Sequence, residues 1–379
     1  MLIGMVFAAA LFLAYANGAN DNFKGVATLY GSFTANYRTA LWIGTIATFA
    51  GSMSSLLIAT ELIRMFSGSG VVPGEVASSP AFAVSIASAA AATVILATFL
   101  GLPVSTTHAL TGAIIGAGLV SVGWNLDVGI LGRSFLLPLL LSPIAAILLA
   151  IPLYRLLHAT AQRSGIKRDT CICLDGSVLL PVRSLQLAGG DEHYAVAALE
   201  PHGELVTVGS IAQCVEKYDG RIIGMPVRAL TDGLHFLSAA AVSFSRGLND
   251  APKIMGLLLV VELLDTRFGI AAIATAMAVG GLINARKVAI TMSKKISRMN
   301  DGQALSANLV TAFLVIVASR LGMPVSTTQV SVGAITGVGL VNRSVDGGVV
   351  RNILFSWLLT LPIACLLGAA FNIAIRAFG

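Results

Sequence analysis

GLPVSTTHALTGAIIGAGL at residues 101–119 and GMPVSTTQVSVGAITGVGL at residues 322–340 nearly repeat each other. Both carry the run Pro-Val-Ser-Thr-Thr inside otherwise apolar sequence. Ser and Thr fill an apolar helix poorly, because their hydroxyls need partners once buried. The flanking residues define a local geometry. Gly101 and Gly322 are able to end a preceding helix. Pro103 and Pro324 have a fixed φ and no N–H, which suits a helix start. Ser105 and Ser326 are good N-cap residues. Small residues follow, with Gly spaced for close helix packing. Each motif therefore predicts a hairpin that turns inside the protein and begins a short helix there.

The surrounding sequence is that of a membrane protein. Of 379 residues, 56% are hydrophobic and 11% charged, against about 25% charged in an ordinary soluble domain. Mean hydropathy is +0.86. AFAVSIASAAAATVILATFL at 81–100 and NILFSWLLTLPIACLLGAAFNIAI at 352–375 each meet the length of about 20 apolar residues that crosses a bilayer. The fold class expected is an all-α polytopic membrane protein with re-entrant, broken helices. The opening MLIGMVFAAALFLAYA lacks a basic n-region and runs into a polar motif, so it is expected in the mature fold rather than as a signal peptide. Net charge is +6, but the basic residues lie in short loops. That pattern fits positive-inside topology and argues against nucleic-acid binding. Cys365 sits in an apolar run and reads as packing. Cys171, Cys173 and Cys214 lie in the polar middle of the chain; C-x-C plus one distant Cys is a weak metal signal, and reduced cytosolic thiols fit better. No metal and no cofactor are expected.

The repeat extends beyond the opening motif. GANDNFK at 18–24 and GLNDAPK at 247–253 each place Asn-Asp after a Gly-containing step, with Lys three residues after the Asp. The chain then reads as two copies of one unit, 1–160 and 229–379, separated by an insert at 161–228. An internal repeat with interrupted helices at matching places points to a secondary transporter. The loop at 64–80 holds one basic residue, Arg64, whereas its counterpart at 286–298 holds Arg286, Lys287, Lys294, Lys295 and Arg298. If basic loops stay in the cytoplasm, the two loops lie on opposite faces and the repeats are inverted. In the insert, TCICLDGSVLLPV at 170–182 suggests a hairpin around Asp175-Gly176, and HYAVAALE at 193–200 with ELVTVGS at 204–210 suggests another around Pro201-His202-Gly203. A short helix is expected at 211–217. The insert is expected to be small, β-rich and soluble, and its basic flank, with Arg155, Arg163, Lys167 and Arg168, places it in the cytoplasm.

A helix that begins at membrane depth aims unpaired N–H groups and a positive partial charge at whatever precedes it. With the hydroxyls of Ser105, Thr106, Thr107, Ser326, Thr327 and Thr328 added, two facing tips would clasp a small tetrahedral anion. The plainer reading is that the hydroxyls only cap a buried helix end, but the duplication argues against it. Asp21 and Asp250 are embedded in apolar sequence, where a charge costs several kcal/mol and marks a functional candidate. Two carboxylates would repel an anion unless cations or protons accompany it. Carboxylate and amide oxygens suit small hard cations, so Asn20, Asp21, Asn249 and Asp250 are expected to bind coupling ions, sodium or protons. Asp21 and Asp250 would also accept from the anion. Hydrogen phosphate has an O–H to offer them and sulfate has none, so phosphate is favoured over sulfate. A purely structural Asp-Lys pairing through Lys24 and Lys253 is the alternative.

These residues resemble the inorganic phosphate transporter (PiT) family. GANDNFKGVATLYGS looks like the family's first signature and SFSRGLNDAPKIMG like its second; the two Pro-Val-Ser-Thr-Thr runs, followed by His108 and Gln329, also fit its pattern. The likeness covers nearly all of the chain except 169–228. It implies symport of inorganic phosphate with sodium or protons, through inverted repeats and an elevator-like or rocking movement. It also implies that Asp21, Asp250 and the Ser-Thr-Thr residues line the site. One position departs. In the family the third residue after the first Asp is usually Asn, and here it is Lys24. An ammonium there would stand in the place of a coupling cation, unless Lys24 faces a loop or lipid headgroups. Lys24, Lys253, His108 and Gln329 are thus expected modulators.

Other classes fit less well. The five histidines, including His158, His193, His202 and His235, are scattered with no metal or nucleophile spacing, which argues against an enzyme. A sulfate permease of the same fold and a transporter-derived anion sensor using the insert remain open. The expected partners are inorganic phosphate, a coupling cation and membrane lipid, with a homodimer open, in the cell membrane.

Overall fold

The structure is a computed structural model that describes residues 2–68, 70–163, 167–173, 178–179, 194–200, 203–209, 214–219, 221–222, 225–261, 264–295 and 299–378. In the first half the helices are α1 (Leu2–Asp21), α2 (Ala27–Gly31), α3 (Tyr37–Ile58), α4 (Thr60–Met65), α5 (Gly74–Ala77), α6 (Pro80–Phe99), α7 (Thr106–Val122), α8 (Val128–Ile130) and α9 (Leu137–Arg163). In the second they are α10 (Val227–Leu258), α11 (Thr266–Asn284), α12 (Arg286–Ile290), α13 (Asp301–Arg320), α14 (Thr327–Asn342) and α15 (Gly347–Phe378). Among the described residues, seven helical stretches are long and apolar enough to cross a membrane: Leu2–Gly31, Tyr37–Ile58, Pro80–Phe99, Val128–Thr160, Thr266–Asn284, Asp301–Arg320 and Gly347–Ala377. This is a helical membrane protein.

The packing is reciprocal. Helix α1 lies against α11, and α10 lies against α3; α7 packs on α15, and α14 on α9. Each half thus buries its central helices against elements of the other. Glycines mark the closest crossings. A Cβ on Gly18 would fall 1.9 Å from the carbonyl oxygen of Met277, and one on Gly247 would fall 2.0 Å from that of Thr48. Gly51 against Phe244 and Gly280 against Tyr15 repeat the exchange. Asn17 and Arg246 are 229 residues apart, and the same offset carries each glycine and its contact onto the other pair. Backbones that touch in this way need small residues, as between membrane helices generally.

Capping explains where several helices start. Asn36 accepts from the N–H of Thr39 at 2.8 Å to open α3. Asn300 and Gln303 form a reciprocal capping box at the start of α13, satisfying two otherwise orphan donors. The neighbouring Asp301 accepts from Thr34 and lies 3.1 Å from Nδ1 of buried His235, tying the start of α10 to that of α13. Helix α1 ends at Asp21, before Asn22 and Gly25, which propagate a helix poorly. Its counterpart α10 continues through Asp250 to Leu258 with Pro252 inside, because Ala251, Ile254 and Met255 favour helix where Asn22 and Gly25 do not. The interruption is therefore present in one half only.

Between the halves the described backbone is extended. Strand β1 (Lys167–Cys173) pairs antiparallel with β2 (Val178–Leu179) in the register Cys171 to Leu179. Strand β3 (Tyr194–Glu200) pairs antiparallel with β4 (Gly203–Gly209). Asp175, Gly176, Pro201 and His202, expected at the two turns, lie outside the described residues, as does His193. The helix expected at 211–217 is corrected over 214–217, where β5 (Cys214–Asp219) is a strand that pairs with β1; residues 211–213 lie outside the described residues. In CVEKYD the apolar Val215 and Tyr218 stand three apart, a stretch too short for either period to dominate, and pairing with β1 decides it.

Candidate anion-binding centre

The two repeated motifs start helices, and the starts meet. Gly101 at φ +70° and Gly322 at φ +67° turn the chain, a conformation open to glycine at little cost. Short extended segments follow, and then Ser105 accepts from the N–H of His108 at 3.1 Å while Ser326 accepts from that of Gln329 at 3.2 Å. These caps open α7 and α14. Across the gap between the tips, the Thr107 hydroxyl donates to the Val325 carbonyl at 3.2 Å and the Thr328 hydroxyl donates to the Val104 carbonyl at 3.0 Å. Each tip is held by the threonine of the other. All six hydroxyl residues are buried, Thr327 being the most accessible at 8%.

The acidic residues and lysines surround this contact. The Lys24 ammonium donates to Asp21 Oδ1, to Asn20 Oδ1 at 2.8 Å, to the Val104 carbonyl at 2.7 Å and to Thr328 Oγ1 at 2.7 Å. The Lys253 ammonium donates to the Val325 carbonyl and Thr107 Oγ1, each at 2.7 Å, and to Asp250 Oδ1 at 3.4 Å. Carboxylate, backbone carbonyl and hydroxyl correspond with the halves exchanged; the bond to Asn20 belongs to Lys24 alone among the described residues. The amides meet corresponding hydroxyls with the direction reversed: Asn20 Nδ2 donates to Thr98 at 2.9 Å, whereas Asn249 Oδ1 accepts from Ser319 at 3.2 Å. Lys24 therefore faces neither a loop nor headgroups. Burying an ion costs several kcal/mol unless its partners are well placed, and both ammonium groups have such partners.

Two residues that the sequence reading passed over complete the centre. Asn17 donates to Thr106 Oγ1 at 2.9 Å, to Asp21 Oδ2 at 3.1 Å and to Asp250 Oδ2 at 3.3 Å, so one amide links both carboxylates to a helix tip. Arg246 stands one helical turn before Asp250, as Asn17 does before Asp21. Its Nη2 donates to Asn17 Oδ1 at 3.3 Å, and its Nε is 3.9 Å from Asp250 Oδ2. Yet among the described residues Nε and Nη1 are buried without a hydrogen-bond partner. The signal that would have found both is position: four residues before each Asp, a buried polar group in an apolar helix.

His108 and Gln329, which follow the two Ser-Thr-Thr runs, meet one another with Nε2 atoms 3.4 Å apart. Nδ1 of His108 and Oε1 of Gln329 have no hydrogen-bond partner among the described residues. Of the residues named from sequence, Asn20, Asp21, Lys24, Asn249, Asp250, Lys253, Thr106, Thr107 and Thr328 are bonded into one buried cluster, Ser105 and Ser326 cap its two helices, and Thr327, though buried, makes no bond to a carboxylate among the described residues. Chemically, the cluster offers two helix starts, hydroxyl groups, three cationic side chains and two carboxylates. Guanidinium N–H groups without a hydrogen-bond partner among the described residues, linked through Asn17 to the start of α7, fit an oxyanion.

The profile of the phosphate transporter family matches residues 17–368. A candidate phosphate permease of Thermococcus kodakarensis is 27% identical over 94% of this chain and 93% of its own length. A probable low-affinity inorganic phosphate transporter of Rhizobium meliloti is 26% identical over 97% of this chain and 95% of its own. Among solved structures, one titled the sodium-dependent phosphate transporter superposes with a TM-score of 0.77 at 20% identity, covering 100% of both chains. At that identity the likeness concerns the fold.

Proposed function

The chain belongs to the phosphate transporter family, a family of carriers rather than enzymes, and from that premise we propose that it is a secondary active symporter importing inorganic phosphate across the cell membrane, coupled to sodium or to protons. The observation that carries this reading is the mutual clasp of the two helix starts, Thr107 on Val325 and Thr328 on Val104, joined through Asn17 to Arg246, whose Nε and Nη1 have no hydrogen-bond partner among the described residues. Ser105, Thr106, Thr107, Ser326, Thr327, Thr328 and Arg246 bind the anion. Asn20, Asp21, Asn249 and Asp250 form the layer that holds positive charge, and Asp21 and Asp250 also accept from the phosphate O–H. Phosphate and arsenate fit this arrangement better than sulfate, which would leave the acceptors unpaired.

The reciprocal packing supports two repeats, 1–160 and 229–379, related by a two-fold exchange. The charge contrast between the loops at 64–80 and 286–298 supports their inversion across the membrane. The basic flank of 161–228 supports a cytoplasmic insert. Competition decides the substrate: unlabelled phosphate and arsenate should displace labelled phosphate in proteoliposomes, and sulfate should not. Displacement by sulfate alone would make the protein a sulfate permease. Binding without accumulation would make it a sensor.

A further inference from the structure

We propose that the ammonium groups of Lys24 and Lys253 are the site's cations, built into the chain, and that the protein carries its anion without binding sodium. The inference rests on the anion-carrier reading above and narrows its coupling ion to the proton.

The oxygens around Lys24 are a carboxylate, a side-chain amide carbonyl, a backbone carbonyl and a hydroxyl. Those around Lys253 are a carboxylate, a backbone carbonyl and a hydroxyl. Such hard oxygens, gathered from several segments, are what a small hard cation takes as ligands. A lysine ammonium is itself a compact point charge, and here it already occupies the place. The remaining oxygens are also engaged. Asp21 Oδ2 accepts from Asn17 and Thr106. Asp250 Oδ1 accepts from Asn249 as well as Lys253, and its Oδ2 accepts from Asn17 near Arg246. Asn20 Oδ1 takes the N–H of Val104 in addition to Lys24, and Asn249 Oδ1 takes Ser319.

Electrostatics point the same way. Lys24, Lys253 and Arg246 outnumber Asp21 and Asp250 by one, so a singly charged oxyanion neutralises the cluster with no further cation. A sodium ion sharing these oxygens would sit close to a fixed ammonium. Like charges about 4 Å apart at an effective dielectric of 20 weaken binding by about a thousandfold. The two-fold exchange makes the argument twice over, since in each half an ammonium meets a carboxylate, a backbone carbonyl and a hydroxyl.

Purified protein in detergent should show no saturable binding of radiolabelled sodium, and the Lys24→Asn, Lys253→Asn double variant should gain it. Saturable sodium binding by the wild type overturns the proposal. In proteoliposomes with an inside-alkaline pH gradient, replacing sodium by choline on both sides should leave uptake of radiolabelled phosphate within about twofold; a fall of about tenfold or more overturns the proposal as well. Both wild-type arms stand whether or not the variants fold. If phosphate is taken up in neither medium while sodium still fails to bind, the phosphate reading falls and the built-in cations are upheld.

Discussion

Asp250 is the residue at which charge and transport are most tightly linked. It meets Lys253, Asn249, Asn17 and Arg246 at once. Asp250→Asn keeps an acceptor for Lys253 and Asn249 and removes the negative charge that balances two cations. With three cations left against one carboxylate the centre loses its charge balance, so coupled uptake should drop by about tenfold or more, while the neutral amide keeps enough acceptors for the protein to stay monodisperse in detergent. Uptake at the wild-type rate would take Asp250 out of the mechanism. Arg246 poses a different question, because its Nε and Nη1 have no hydrogen-bond partner among the described residues. A hydrogen bond to a charged group contributes about 1.5–3 kcal/mol, so Arg246→Gln should weaken phosphate binding by about ten- to a hundredfold. Arg246→Lys should fall between, keeping the charge and losing the planar fork. Equal affinities in wild type and both variants, measured by displacement of labelled phosphate, would show that the guanidinium does not touch the anion.

At the scale of elements, the crossings of α1 with α11 and α10 with α3 are set by backbone contact. Gly18→Val and Gly247→Val would push a side chain into a carbonyl oxygen that already sits 1.9 and 2.0 Å from a bare Cβ. Overpacking of this kind costs about 1–3 kcal/mol or more, and both variants should lose the monodisperse species in size-exclusion chromatography. Gly4→Ala, where nothing lies within 4 Å of the added carbon, should elute as the wild type does. Equal profiles for Gly18→Val and wild type would mean that the helices do not cross there. This level also shows what was legible in the sequence. The helix starts at Ser105 and Ser326 were readable because Gly, Pro and Ser each constrain the backbone locally. The clasp between Thr107 and Val325 was not, since nothing local tells a chain which distant carbonyl it will meet. Asn17 and Arg246 escaped for another reason: they differ in chemistry, so a search for identical residues in the two copies passes over them, although their positions correspond. The strand at Cys214–Asp219 was misread because its partner β1 lies far away in sequence.

For the whole molecule, the exchange of contacts between halves has a consequence for orientation. Helix α12 of the second half lies beside the turn at Gly101 of the first, where Lys287 donates to the Phe99 carbonyl at 2.9 Å and Thr291 donates to that of Gly101 at 2.9 Å. Helix α4 of the first half lies against the corresponding turn of the second, with Glu61 under Gly322. Each half thus braces the other's hairpin from its own side. If the halves are inverted, the two hairpins enter from opposite faces and their tips meet midway, which is what alternating access to a central anion requires. If the halves were parallel, both hairpins would enter from one face. Single cysteines placed at Gly74 and at Arg286, in a background with Cys171, Cys173, Cys214 and Cys365 replaced by Ser, distinguish the two. A membrane-impermeant maleimide added to intact cells should label the cysteine at 74 and leave that at 286 unlabelled until the membrane is opened. Labelling of both from outside, or of neither, would place the two loops on one face and remove the inversion on which alternating access at this site depends.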